Sequence, residues 1–146
     1  MAGASTFDIA ANVSISKLTF SGTTATLTLG NNILTQTGDA MDLGTTLTLT
    51  VGAGTINNTN AIKLNQGTLK LDGDLILATA GAGFDITDDC TINLQTNDLE
   101  YQEANDLDID GNTLTIEGTG RIKNKGNLRF NNAASKLTIS GACTID

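Results

Sequence analysis

Histidine, proline and tryptophan are absent from the 146 residues, and tyrosine occurs once, phenylalanine four times and cysteine twice. Each gap removes a class of function. Without histidine there is no Ser-His-Asp or Cys-His catalytic arrangement and no imidazole metal ligand. The scarce aromatics leave little with which to wall a sugar cleft. Eight bases against sixteen acids give a net charge of −8 and a pI near 4.2. That balance argues against a nucleic-acid partner, because phosphate neutralisation needs clustered Lys and Arg. No apolar run approaches the ~18 residues of a membrane span, and no basic start followed by an apolar stretch reads as a signal peptide. Cys90 and Cys143 lie 53 residues apart, which does not match a whole number of the repeats described next. They read as two small hydrophobic residues rather than a disulfide.

What is present is a repeat. Phe7/Ile9, Leu27/Leu29, Leu47/Leu49, Leu69/Leu71, Ile92/Leu94, Leu114/Ile116 and Leu137/Ile139 are apolar pairs separated by one polar residue, with first members 20 to 23 residues apart. A second column reads Leu18/Phe20, Met41/Leu43, Ile62/Leu64, Phe84/Ile86, Leu107/Ile109 and Leu128/Phe130. A third, looser one reads Val13/Ile15, Ile33, Ile56, Leu75/Leu77, Leu99/Tyr101, Ile122 and Cys143/Ile145. Apolar residues at period two, bounded by Gly, Asn and Asp clusters, describe short strands with one face buried. The abundant Thr suits their outer faces. Self-similarity at a fixed period of this length marks a coiled, stacked architecture.

The expected fold is therefore all-β: a single-stranded right-handed parallel β-helix with three strands per turn, about 22 residues per turn and six to seven turns. A flexible leader is expected over residues 1–6 and one β-solenoid domain over 7–146. Aligning the second column places Asp42, Lys63, Asp85, Asp108 and Arg129 in one outward row, in which opposite charges neighbour each other as cross-strand pairing prefers. Across nearly its whole length, through repeats such as Thr46-Leu47-Thr48-Leu49 and Thr113-Leu114-Thr115-Ile116, the chain resembles right-handed parallel β-helix proteins of the pectin-lyase-like and autotransporter-adhesin type. The likeness is one of architecture and implies no single activity.

Three features invite a functional reading. Asp106-Leu-Asp108-Ile-Asp110-Gly111 followed by Glu117 satisfies the D-x-D-x-D-G-x5-E calcium-loop pattern, but no helices flank it, so it reads as strand, corner, strand. A surface Ca2+ site built from Asp85, Asp88, Asp108 and Asp110 is the metal reading that survives, since hard cations favour oxygen clusters. Outward Thr26/Thr28, Thr46/Thr48, Thr68, Thr91 and Thr113/Thr115 resemble the Thr-x-Thr arrays of ice-binding solenoids, with Lys70, Asn93 and Lys136 interrupting the ranks. Charge is also graded. Twelve acids and no base lie between Asp72 and Glu117, and five bases and no acid lie between Arg121 and Lys136.

Neither terminus carries an amphipathic helix to cover the end rungs, and exposed strand edges recruit other strands. Two explanations compete: the chain is a fragment of a longer solenoid, or its ends stack on neighbouring copies. On the second, the sequence points to a non-enzymatic structural subunit that stacks head to tail with its own copies into an extracellular or cell- or virion-surface fibre. The assembly interface would be Phe7 and Ile9 at one end and Leu137, Ile139, Cys143 and Ile145 at the other. The alternative is a surface-display module for carbohydrate, ice or calcium. A polysaccharide-cleaving enzyme using paired carboxylates is the least supported reading.

Overall fold

The computed structural model describes residues 4–20, 22–43, 48–79, 84–102, 106–124 and 126–146. Among these there is no helix; strands in parallel ladders form stacked coils, a β-solenoid of about six turns. Alternation of buried and outward residues along each strand brings the chain back onto itself once per repeat, and each strand pairs with its counterpart one turn later.

The first column contains Ala4–Asp8, Thr24–Thr28, the first half of Thr48–Asn58, the first half of Gly67–Thr79, Cys90–Asn93, Thr113–Gly118 and Lys136–Gly141. The second is a separate sheet of Met41–Asp42, Ile62–Leu64, Phe84–Ile86, Leu107–Ile109 and Leu128–Arg129. The third runs from Val13–Ile15 through Ile33–Gln36, the second halves of the two long strands, Leu99–Tyr101 and Arg121–Asn124 to Thr144–Ile145. The opening strand begins at Ala4, inside the segment read as a leader, and its residues pair with Thr24 to Thr28.

The second column has the register read from sequence: Met41 pairs with Ile62, Ile62 with Phe84, Phe84 with Leu107 and Leu107 with Leu128. The first column departs from it in three pairings. Leu27 pairs with Val51, and Leu49 pairs with Ala25 and Leu69; Leu47 lies outside the described residues. Ile92 pairs with Ile116, and Cys90 with Leu114. Against the expected pairs these are slips of four, two and two residues, all even, which keeps the apolar residues on the inner face, whereas a slip of one would turn them outward. The third column shows that second case. Leu34 pairs with Val13 and Ile56 and is fully buried, while Ile33 points out at 39% exposure.

Two expected corners are bends inside continuous strands. Thr48–Asn58 and Gly67–Thr79 run through Gly52-Ala53-Gly54 and Asp72-Gly73-Asp74, with the register shifting between Gly52 and Gly54. A side chain at Gly73 would collide with Ala53, which is why the smallest residue sits where the two bends nest. Elsewhere the chain makes real turns. Asn31 and Gln95 adopt positive φ of 63° and 55°, and asparagine amides bridge to neighbouring carbonyls. Asn32 Nδ2 donates to Leu29 O at 2.9 Å, Asn97 Nδ2 to Leu71 O at 3.2 Å and Asn112 Nδ2 to Ile86 O at 2.9 Å.

The interior is one continuous apolar stack of Leu and Ile with Phe84 and Tyr101 tilted against each other at 6.0 Å between ring centroids. Each fully buried Leu or Ile contributes about 1.5–3 kcal/mol. Two inward polar residues interrupt it. Gln36 and Asn58, paired one turn apart, are fully buried. Gln36 Oε1 accepts from Leu18 N at 2.7 Å and its Nε2 donates to Asp39 O at 2.7 Å, while Asn58 Nδ2 donates to Ala61 O at 2.9 Å. These amides tie the third column to the corner leading into the second, satisfying backbone groups that a buried turn otherwise strands.

The closest nesting is at Gly120, where an added Cβ would lie 1.7 Å from Asn97 O. Gly120→Ala is expected to lower stability by about 2 kcal/mol or more, measured as a fall in the midpoint of urea unfolding. An unchanged midpoint would mean that the 95–97 turn does not pack on this rung.

Candidate functional site

The outward row of the second column is in register as expected: Asp42 beside Lys63, Lys63 beside Asp85, Asp85 beside Asp108 and Asp108 beside Arg129. The ion pairs made within it differ from that adjacency. Arg129 Nε reaches Asp106 rather than Asp108. Asp106 also accepts from Asn127 N at 2.9 Å and Asn127 Nδ2 at 2.8 Å, and these bonds, with the charge of Arg129, hold its carboxyl below the ordinary range. Asp108 is left beside Asp85 with its Oδ1 buried and unpartnered among the described residues. Burial first, and then the Asp108 charge, push the Asp85 carboxyl up, with Lys63 opposing.

Asp85, Asp108 and Asp110 line one cleft of about 220 Å³ with Thr87 and Asn131. Asp88 stands apart from it. Its Oδ1 accepts from Asp89 N at 2.8 Å, as a turn residue does. Three of the four residues read as a calcium set thus share a cleft and the fourth does not. Among the described residues no group of three or more Asp, Glu or Cys is arranged to hold a metal ion. The calcium-loop pattern is spread over two strands. Asp106 serves Arg129, Asp108 faces out from Leu107–Ile109, and Glu117 Oε2 accepts from Asn93 Nδ2 at 2.9 Å.

The threonine face changes most. These even slips re-align it, so that Thr24, Thr48, Thr68, Thr91, Thr115 and Thr138 form one unbroken rank in the first column. The adjacent rank reads Thr6, Thr26, Thr50, Lys70, Asn93, Glu117 and Ser140. Thr46 lies outside the described residues.

The cysteines are both free. Cys90 is buried in the first column, and burial, with Asp89 and Asp88 nearby, pushes its thiol up to about 12. A thiol held protonated at neutral pH is not a nucleophile.

At the ends, four large apolar side chains are substantially exposed among the described residues: Phe7 at 40%, Ile33 at 39%, Phe130 at 49% and Ile139 at 49%. Phe7 lies in the first turn, Ile139 in the last, and Phe130 just after the last described strand of the second column. Of the six residues read as the interface, Phe7 and Ile139 are exposed, Leu137, Cys143 and Ile145 are half-buried, and Ile9 is buried, its N–H donating to Thr28 O of the next turn at 3.0 Å. Phe130 was read as core from its inward position in the second column, yet no further strand covers it among the described residues. A recess of about 190 Å³ beside Phe7 is lined by Leu18, Phe20 and Ala25 together with Ser5, Thr6, Thr19 and Thr26. Alternation shows neither feature, because it gives the phase of a residue and not what covers it.

Part of the basic segment folds back on the acidic turns. Arg121 Nη2 and Lys123 Nζ lie 2.7 and 2.8 Å from Asp98 Oδ2. The hydrogen bond from Arg121, then that from Lys123, hold the Asp98 carboxyl down at about 2. A depressed carboxylate adds stability that is complete above its ordinary value of 3.8 and lost as pH falls through about 2. Asp98→Asn is therefore expected to lower the melting temperature at pH 7, with the gap to the parent closing between about pH 4 and pH 2. A gap independent of pH would assign the loss to packing instead.

No protein-family model, no curated protein and no solved structure matches the chain. The resemblance to pectin-lyase-like and autotransporter β-helices is thus carried by the solenoid architecture alone.

Proposed function

We propose that this chain is a structural subunit whose copies stack end to end into a fibre at an extracellular, cell or virion surface. The observation that carries the reading is where apolar surface remains. Apart from Ile33 the described flanks present Thr, Asn and charged side chains, whereas Phe7 and Ile139 are exposed on the first and last first-column strands, Ala4–Asp8 and Lys136–Gly141, and Phe130 is exposed just after the last described second-column strand. A parallel ladder leaves one unpaired row of N–H and C=O groups at each end, which is a template for a further strand. The two end surfaces differ from each other, so their contact is heterologous and stays open, the geometry of a filament rather than a closed ring. No catalytic step is assigned to the chain. Sedimentation velocity over a concentration series is expected to show species growing well beyond the 15.1 kDa monomer, with rods visible by negative-stain microscopy. A single monomeric boundary at every concentration would contradict the reading.

A second reading is favoured by one specific observation, the unbroken rank of six threonines. Hydroxyl and methyl groups repeating at about 4.8 Å, the strand spacing, form a regular face that suits display toward an ordered hydroxylated surface such as ice or polysaccharide. On this reading the parent chain shows thermal hysteresis or retention on insoluble polysaccharide, and Thr68→Lys with Thr91→Lys abolishes it. A parent chain lacking both activities would leave the rank as ordinary strand surface.

A further inference from the structure

We infer that a polar groove on the flank of the solenoid binds an extended oligosaccharide of amino sugars, whose ammonium groups are held by Asp72 and Glu117. The site lies within one copy of the chain and stands apart from the end-to-end stacking proposed above.

The groove has a volume of about 810 Å³ and crosses four consecutive rungs, from Asp72 past Asn93 and Glu117 to Ser140. Three strand spacings make that about 14 Å, which suits an extended ligand rather than a single ion. Part of its lining is the outward rank of the first column, where Asn93 pairs with Glu117 and Glu117 with Ser140. The rest comes from the Gln95-Thr96-Asn97 turn and from the turn that follows one rung later. These two turns nest closely. A Cβ at Gly118 would lie 2.6 Å from Gln95 O, and Thr119 donates to that same oxygen through its N at 2.7 Å and its Oγ1 at 3.3 Å. A groove shaped before its ligand arrives loses little order on binding.

The lining turns its donors inward and leaves its acceptors free. Asn93 Nδ2 donates to Glu117 Oε2 at 2.9 Å, Gln95 Nε2 to Asn93 Oδ1, and Asn97 Nδ2 to Leu71 O at 3.2 Å. Among the described residues, Glu117 Oε1 and the Asp72 carboxylate make neither hydrogen bond nor ion pair. No base lines the groove. Lys70, the one base in the rank, neighbours Asn93 and forms no ion pair among the described residues.

Free anionic acceptors select a ligand that brings donors with positive charge. Asp72 and Glu117 stand two rungs apart, about 9.6 Å along the axis. One ammonium cannot meet both at an ion-pair distance of about 4 Å, so the ligand carries at least two. The hydroxyls of Thr96 and Ser140 in the same lining match sugar hydroxyls, which donate and accept, better than the bare methylenes of a polyamine. No aromatic side chain lines the groove, so recognition rests on hydrogen bonds and charge.

The test is isothermal titration calorimetry with a glucosamine trimer, under mildly acidic conditions that keep its amines charged. Binding to the parent chain is expected. Asp72→Asn and Glu117→Gln, the latter still accepting from Asn93 Nδ2, are each expected to weaken it about tenfold through loss of a charge-assisted bond. Asp42→Asn, the same charge change in the second column, is expected to leave it unaltered, with melting temperatures checking that all three variants fold. Equal weakening by Asp42→Asn would reduce the effect to net charge and overturn the site. The N-acetylated trimer binding as well as the free amine would overturn the role of the ammonium groups, and spermidine binding as well would overturn the saccharide class. A parent chain that binds none of these probes overturns the inference and leaves the stacking reading, which sedimentation tests, untouched.

Discussion

Everything in this molecule depends on the backbone ladder between successive turns. Each rung is held by parallel hydrogen bonds to the rung before and after it, and a strand displaced by one residue would carry its whole apolar set to the outer face. The single apolar stack of the interior, the charged row of the second column and the threonine rank of the first are all consequences of that register. The corners serve it too. Gly73 and Gly120 allow adjacent turns to approach where a Cβ would collide, and Gln36 and Asn58 satisfy the backbone of a buried corner. Among the described residues the outermost strands, Ala4–Asp8 and Lys136–Gly141, each pair on one side, and the proposed function rests on them.

How far the sequence disclosed this register varies by column. The second column was fully legible, because its apolar pairs recur at 21 to 23 residues and its outward positions carry charges that constrain the alignment. The first column was legible only to within four residues. Leu47-Thr-Leu49-Thr-Val51 and Cys90-Thr-Ile92-Asn-Leu94 each hold three apolar residues in alternation, so more than one even register buries apolar residues and pattern alone cannot choose. In the third column the adjacent apolar residues Ile33 and Leu34 offered opposite faces, and burial chose Leu34. Gln36 and Asn58 were invisible, since alternation treats a polar residue as outward.

The functional reading moved with these corrections. Re-registering the first column removed the interruptions from one threonine rank and gave the display reading an observation of its own. The acidic set resolved into a turn residue, Asp88, and a repulsive pair, Asp85 and Asp108, whose cost the fold tolerates within a cleft. Phe130 passed from the core to an exposed end. Its exposure was not legible in the sequence, because alternation gives the phase of a residue and not what covers it.

The central claim is that the ladder continues from one copy into the next. X-ray diffraction from aligned filaments tests it most directly, because strands perpendicular to the fibre axis give a meridional reflection at about 4.8 Å. The account predicts that reflection together with an axial subunit repeat of about 34 Å, seven rungs at the same spacing. A 4.8 Å reflection on the equator, or an axial repeat as short as the width of the solenoid, would show copies joined side by side and would contradict it.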